Sequence, residues 1–219
     1  HLSSRRQRQM CIRDSNGPVF DIDPIAQVIA PNLINAKGST AGLRGSKTST
    51  FEGGIRVPAV IWWKGVIENA KSDQFFFVQD ILPTLLRASN VNVAETIKFD
   101  GKDKWLNLLK NEIVPPKNAF IGARLIADER ALFNGKWKLR WTKPQLIPVS
   151  ASYSLFDILE DPYEKNDLSE EHPQVVDAMK KTLTSYIERD VVGDMNPAHA
   201  YLHGDCLLYT SPSPRDAYV

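Results

Sequence analysis

The chain has 219 residues, 42% of them apolar, enough to fill the core of one large domain or two small ones. Its 27 Lys and Arg nearly cancel its 26 Asp and Glu, so there is neither a basic field for nucleic acid nor an acidic solvating tail, and any specificity for an anion must be local. The longest apolar runs, VPAVIWW and FFFV, fall far short of the roughly 20 residues of a membrane-spanning helix, and no signal-peptide hydrophobic region opens the sequence, so no segment is expected to cross a membrane.

Residues 1–15 (HLSSRRQRQMCIRDS) and 193–219 (ending CLLYTSPSPRDAYV) lack helical or strand periodicity and are expected to be unstructured. Cys11 and Cys206 lie in these tails without metal-type spacing, which leaves both a disulfide and the redox compartment open. A Gly-, Ser- and Thr-rich stretch from Asn35 to Thr50 reads as a long loop. It is followed by IRVPAVIWW (55–63), a strand with Pro58 near its start, apolar enough to be buried on both faces of a parallel sheet. VQDILPTLLRASN (78–90) places Val78, Ile81, Leu82, Leu85 and Leu86 on one helical face, with Pro83 in the first turn or at a kink and Asn90 closing the helix in the left-handed conformation. Asp100-Gly101 is a turn, and KWLNLLKN a short amphipathic helix.

From about Lys117 the texture changes to four strand-like runs, AFIGARL, RALFNG, KWKLRWT and YSLFDI, which predict a small antiparallel sheet. Trp137, Leu139 and Trp141 alternate with Lys136, Lys138 and Arg140, the pattern of a strand with one wet face. After the turn-rich LEDPYEKNDL, Pro173 fits a first helical position, and Val175, Val176, Met179, Leu183, Tyr186 and Ile187 form the stripe of a helix laid across the sheet. The five tryptophans sit at strand or helix spacing and read as packing rather than as a sugar-stacking platform.

One stretch carries chemistry. In LRGSKTSTFEGGIRVP (43–58), a lone lysine, Lys47, is surrounded by Ser46, Thr48, Ser49 and Thr50. A loop lysine is ordinarily a solvated charge. Small hydroxyl residues, however, let backbone N–H groups approach an anion and add donors, and an ammonium is a compact point charge suited to a sulfate or phosphate oxygen. Glu52-Gly53-Gly54 would be a tight turn delivering the loop, with Arg56 pinning it through an ion pair. Asn16-Gly17, taken alone, is a turn.

The order of NGPVF, LRGSKTSTFEGGIRVPAVIWW, QDILPTLLRASN, FDGKDKWLNLL, GKWKLRW and YSLFDILEDPYEKNDLSEEHP resembles the C-terminal half of the sulfatase family, from Asn16 to about Asp190. The most specific elements are K-x-[ST]-x-[FY]-E-G-G-[IV]-R-x-P, met by Lys47 to Pro58, and [LF]-[FY]-D-[IL]-x-x-D-P-x-E-x-x-[DN]-L, met by Leu155 to Leu168. The resemblance implies an α/β fold: the C-terminal part of an alkaline-phosphatase-like core over 16–115, then an α+β subdomain over 116–192, a four-stranded antiparallel sheet with a packed helix. Both ends resemble translated sequencing-adapter read-through, as found on metagenomic gene models, so the genuine chain is expected to start near Asn16 and stop near Gly204.

The resemblance implies hydrolysis of carbohydrate or aryl sulfate esters by a formylglycine made from C-x-P-x-R or S-x-P-x-R. Neither motif occurs in this sequence, so this chain alone is expected to be inactive. It further implies that Lys47 contacts the sulfate and that Asn16 is one oxygen ligand of a calcium ion. The family has Asp immediately before that Asn, whereas this chain has Ser15, with Asp14 one place early. His172, His199 and His203 fall after the family's catalytic region, and residues 22–41 are a candidate substrate-facing segment. The family's bacterial members are commonly periplasmic or extracellular. Two other readings stay open: a phosphate or phosphonate ester hydrolase of the same superfamily, and a non-catalytic binding module.

Overall fold

Alternating side chains and tight turns build the C-terminal part. The computed structural model describes residues 10–13, 39–94, 96–124, 127–144 and 148–189. Strands β3 (Lys117–Arg124), β4 (Ala127–Asn134), β5 (Trp137–Pro144) and β6 (Ser152–Asp157) form an antiparallel sheet in chain order, as the four runs predict. Asn134 pairs with Trp137 across the β4–β5 hairpin, and Gly135 takes its positive-φ position at 64°. Asn118, at φ 52°, lies where the β3–β4 register shifts.

One sheet face is covered by helix α4 (Pro173–Arg189), which begins at the expected proline. Leu132, Leu139 and Leu155, one from each of β4, β5 and β6, meet Met179 and Leu183 of α4 in a core whose members are at most 4% exposed. Val175, Val176, Tyr186 and Ile187 close its margin, and Phe120 stacks on Tyr186 at 5.3 Å.

The opposite face corrects an expectation. Lys138 is fully buried and Arg140 is 5% exposed, so the polar side of β5 is not wet. Ala131, Phe133, Phe156 and Ile158 form a second core there, and Phe51, Ile55, Phe75 and Phe77 pack on it from upstream chain. Period-2 alternation sorts side chains onto two faces but does not say what covers each.

Upstream, helix α1 is a single turn, Glu52–Ile55, followed by β2 (Ala59–Trp62), which starts after Pro58, a residue with no N–H to give a ladder. Strand β1 (Met10–Arg13) pairs with β2 antiparallel, Met10 opposite Trp62. The expectation of an unstructured 1–15 therefore fails over these four residues, a run too short to show a period. That of a β2 buried on both faces fails as well, since Val60 is 60% and Trp62 47% exposed.

A 3-10 turn at Val78–Asp80 leads into α2 (Ile81–Ala88), with Pro83 in its first turn and Asn90 left-handed at φ 53°, both as expected. The buried face is rotated from the predicted one: Pro83 and Thr84 are buried, whereas Val78, Leu82 and Leu85 are exposed. Polar anchors set this rotation. Asp80 accepts the N–H groups of Phe77 and Lys102, and Thr84 Oγ1 accepts that of Lys104 at 3.0 Å. These bonds tie α2 to the Asp100-Gly101 turn ahead of α3 (Trp105–Lys110). No helix among the described residues is long and apolar enough to cross a membrane.

Candidate functional site

Lys47 stands at the head of a reverse turn. Ser49 N–H donates to Ser46 O at 3.1 Å, leaving Lys47 and Thr48 as the two central residues, with Thr48 at φ 77°. Positive φ at that position suits glycine or asparagine, so a threonine there marks a backbone held against its preference by its surroundings. Lys47 is half-buried, and no hydrogen bond or ion pair with another described residue engages its ammonium.

The surroundings that hold the turn begin with two glycines. Gly53 N–H donates to Arg44 O at 2.7 Å, and a Cβ on Gly53 would strike the carbonyl oxygens of Leu43, Arg44 and Gly45. A Cβ on Gly54 would strike those of Ser46 and Ser49, the residues that bracket Lys47 and Thr48. The loop thus wraps α1 at a separation only glycine permits. Gly53→Ala should cost about 1–3 kcal/mol through overpacking. The urea midpoint measures it, and an unchanged midpoint would show that the wrap relaxes freely.

Beneath the loop lies a buried ion network. Lys138 Nζ contacts Glu52 Oε1 and Glu164 Oε1, each at 2.8 Å, and none of the three residues is more than 4% exposed. Glu52 Oε2 also accepts from Arg56 Nε at 3.0 Å, the pinning ion pair read from the sequence. Glu164 Oε2 accepts the backbone N–H of Glu52 at 2.6 Å, and Arg44 NH1 donates to Glu164 O at 2.8 Å. Glu164 sits at φ 54° in a turn closed by its own N–H to Asp161 O, and Asn166 N–H bonds Asp161 Oδ2, which gives the Asp-Pro-Tyr-Glu motif a local reason. Burial pushes the Glu164 carboxyl above its ordinary 4.5, against the opposing pull of Lys138.

A second tie lies next to the Lys47 turn. Glu129 Oε2 accepts from Thr50 N at 2.8 Å, Thr50 Oγ1 at 3.0 Å, Ser49 Oγ at 3.2 Å and Arg140 NH2 at 2.7 Å. Arg140 also donates through Nε to Thr50 Oγ1 at 3.0 Å and lies 3.3 Å over the Phe51 ring, which Arg44 approaches at 4.2 Å. Burial alone would raise Glu129, but the Arg140 guanidinium and the Thr50 N–H outweigh it and hold the carboxyl below 4.5.

Asp157 and Asp167 are likewise held below 3.8: burial opposes this, and Lys136 with the Glu160 and Leu159 N–H groups overcomes it for Asp157, as do the Leu155 and Ser169 N–H groups for Asp167. Each of these three carboxyls binds a proton less readily folded than unfolded, so its stabilising contribution is complete above the ordinary carboxylate range and is lost as pH falls through its folded value. Glu164 has the opposite sign, its contribution fading as pH rises through its folded value. Stability should therefore drop on acidification below about pH 4.5, and Glu129→Gln should make that limb shallower. Urea midpoints at a series of pH values check this; an equally steep limb in the variant would count against it.

Of the residues singled out from the sequence, the structure places half-buried Lys47 in the Ser46–Ser49 turn, Gly53 and Gly54 against the carbonyls of the loop, and Arg56 on Glu52. His172 packs against Trp137 at 5.0 Å beside the α4 start, away from this loop's contacts. Asn16, His199, His203, Cys206 and nearly all of 22–41 lie outside the described residues. Sequence reasoning missed Glu129, Lys138, Arg140 and Glu164 as partners of the loop. The available signal was two motifs, the Lys47 and Asp-Pro-Tyr-Glu patterns, whose glutamates, Glu52 and Glu164, converge on the distant Lys138.

The family model for Sulfatase matches residues 18–91, which contain the Lys47 loop, β2 and α2. An N-acetylgalactosamine-6-O-sulfatase of Bacteroides thetaiotaomicron is 27% identical over 180 residues, 78% of this chain and 34% of that protein. The matching model and this relative support membership of the sulfatase family. An uncharacterized sulfatase of Schizosaccharomyces pombe is 30% identical over 153 residues, 66% of this chain and 27% of that protein. A solved Bacteroides thetaiotaomicron sulfatase structure, described for metabolism of multiple glycosaminoglycans, superposes with a TM-score of 0.59 at 25% identity, over 83% of this chain and 38% of its own. The fold is that of the alkaline-phosphatase-like sulfatases, mixed helix and strand with the antiparallel sheet in the C-terminal part. This chain spans about a third of the length of the curated relatives it matches.

Calcium is the family's expected ion, and it wants about six to eight oxygen ligands. Among the described residues no group of three or more His, Cys, Asp or Glu could hold a metal. They do not make that site.

Proposed function

We propose that this chain is the C-terminal part of a sulfuric ester hydrolase acting on sulfated carbohydrate or aryl esters, with Lys47 as the cation that meets the sulfate. The observation that carries the reading is the Lys47 turn: a lysine without a partner among the described residues, on a backbone braced from beneath by buried ion pairs. A fixed cation aimed where negative charge develops lowers the barrier without reorganisation at the moment of S–O cleavage. The named activity of the N-acetylgalactosamine-6-O-sulfatase relative favours a sulfated sugar. The nucleophile, a formylglycine, and the calcium site with its Asn16 contribution belong to parts of the enzyme beyond the described residues, and an exported enzyme, periplasmic or extracellular, suits such a substrate. Expressed from its complete reading frame, the enzyme should turn over 4-nitrophenyl sulfate in preference to 4-nitrophenyl phosphate, whereas the 219-residue chain alone should turn over neither. Preference for the phosphate ester would transfer the assignment to phosphoryl chemistry. Turnover of neither by the complete protein would favour a binding module.

A further inference from the structure

We propose that Glu129 is a positioning residue for Lys47, with Arg140 holding Glu129 in place. The inference rests on the reading of Lys47 as the sulfate contact. The turn that carries Lys47 ends at Ser49, and one carboxylate oxygen, Glu129 Oε2, gathers the Ser49 hydroxyl together with the amide and hydroxyl of Thr50, at 2.8–3.2 Å. Arg140 completes a closed ring, bonding both Glu129 and the same Thr50 hydroxyl. These are charge-assisted bonds, stronger and more directional than neutral ones. Their protein end is rigid: Glu129 and Arg140 stand on adjacent strands, Glu129 paired with Thr142 and Arg140 with Ala131. The Glu52–Lys138–Glu164 network fixes α1, downstream of the turn, but grips neither Ser49 nor Thr50; Glu129 is the carboxylate that does. Releasing it lets the Ser46–Ser49 turn shift, and the four-carbon stem of Lys47 carries that shift to the ammonium.

The test is a mutant cycle in the complete enzyme on 4-nitrophenyl sulfate. Glu129→Gln keeps volume and an acceptor and removes the charge. A misplacement of about an ångström costs on the order of 10²-fold, so Glu129→Gln should lower kcat by about that factor with little change in KM, the mark of a contact realised in the transition state. In a Lys47→Ala background the same substitution should have no further effect. An equal loss in both backgrounds, or none in either, overturns the positioning role. Arg140→Lys, which keeps the charge and loses the second donor, repeats the test if Glu129→Gln lowers the thermal midpoint too far to assay. A silent Lys47→Ala overturns the sulfate-contact reading instead. Amide exchange at Ser49 to Gly54 then decides the brace by itself: faster exchange in Glu129→Gln upholds it, and unchanged exchange removes it.

Discussion

Lys138→Met is expected to destabilise the chain by about 3–5 kcal/mol, the scale for removing one partner of a buried ion pair. Methionine fills nearly the same volume, so the loss reports charge rather than a cavity. Lys138 is fully buried between Glu52 and Glu164, which are themselves 4% and 0% exposed. Without the ammonium, two carboxylates face each other with little water to screen them. The remaining compensation is Arg56 on Glu52 and the Glu52 N–H on Glu164. Because burial already raises the Glu164 carboxyl, the penalty should be larger at pH 7 than at an acidic pH at which the fold persists, since acidification lets that group take up a proton. Adding Glu164→Gln should recover part of the loss. Chemical denaturation at the two pH values reads all three expectations, and a loss under about 1 kcal/mol at pH 7 would mean that water reaches the network.

Lys47→Ala should have the reverse signature. In the complete enzyme it is expected to lower kcat/KM on an aryl sulfate by roughly 10²- to 10³-fold, or about 2.7–4 kcal/mol of barrier, the range for removing one preorganised charge-stabilising donor. Its effect on stability should stay within about 0.5 kcal/mol, since the side chain is only half-buried and has no partner among the described residues. The two lysines would thus separate cleanly: Lys138 holds the loop from beneath, and Lys47, on the proposed reading, meets the sulfate and holds nothing. A loss of less than ten-fold for Lys47→Ala, with the fold intact, would remove Lys47 from the chemistry.

The sequence alone showed local relations better than distant ones. The Pro173 helix start, the Asn90 cap and the Arg56–Glu52 pair each depend on residues within one turn, and each is where the pattern puts it. Trp137 to Trp141 was read with the right period and the wrong solvent: Lys138 and Arg140 set their charged ends over the Phe133 and Phe51 rings and pair with Glu52, Glu164 and Glu129. What covers that face is a loop some ninety residues upstream, the Lys138–Glu52 separation being 86 and Arg140–Thr50 being 90. No periodicity within a strand can report such a partner. β2 and α2 failed for a related reason: an apolar run states that a surface wants cover, not which surface receives it, and in α2 the hydrogen bonds of Asp80 and Thr84 decided the rotation. For the site, Lys47 and its glycines were legible because they are contiguous; Glu129 was hidden as one more charge on an alternating strand.

The long reach of these contacts also imposes an order of events during synthesis. Glu52 N–H bonds a side chain 112 residues later, and Arg44 bonds a backbone carbonyl 120 residues later. At about 5–20 residues per second, a ribosome needs roughly 6–20 s to deliver Glu164 after Glu52 has been made. For most of that interval the loop has its glycines and its lysine but no brace; Glu129 and Arg140 arrive first, and the Glu164 tie to the Glu52 N–H comes after them. Translation that stops before β4 and β5 are made yields a chain without the Glu129 and Arg140 side chains that hold Ser49 and Thr50, so the turn carrying Lys47 waits on partners 79 to 90 residues further along.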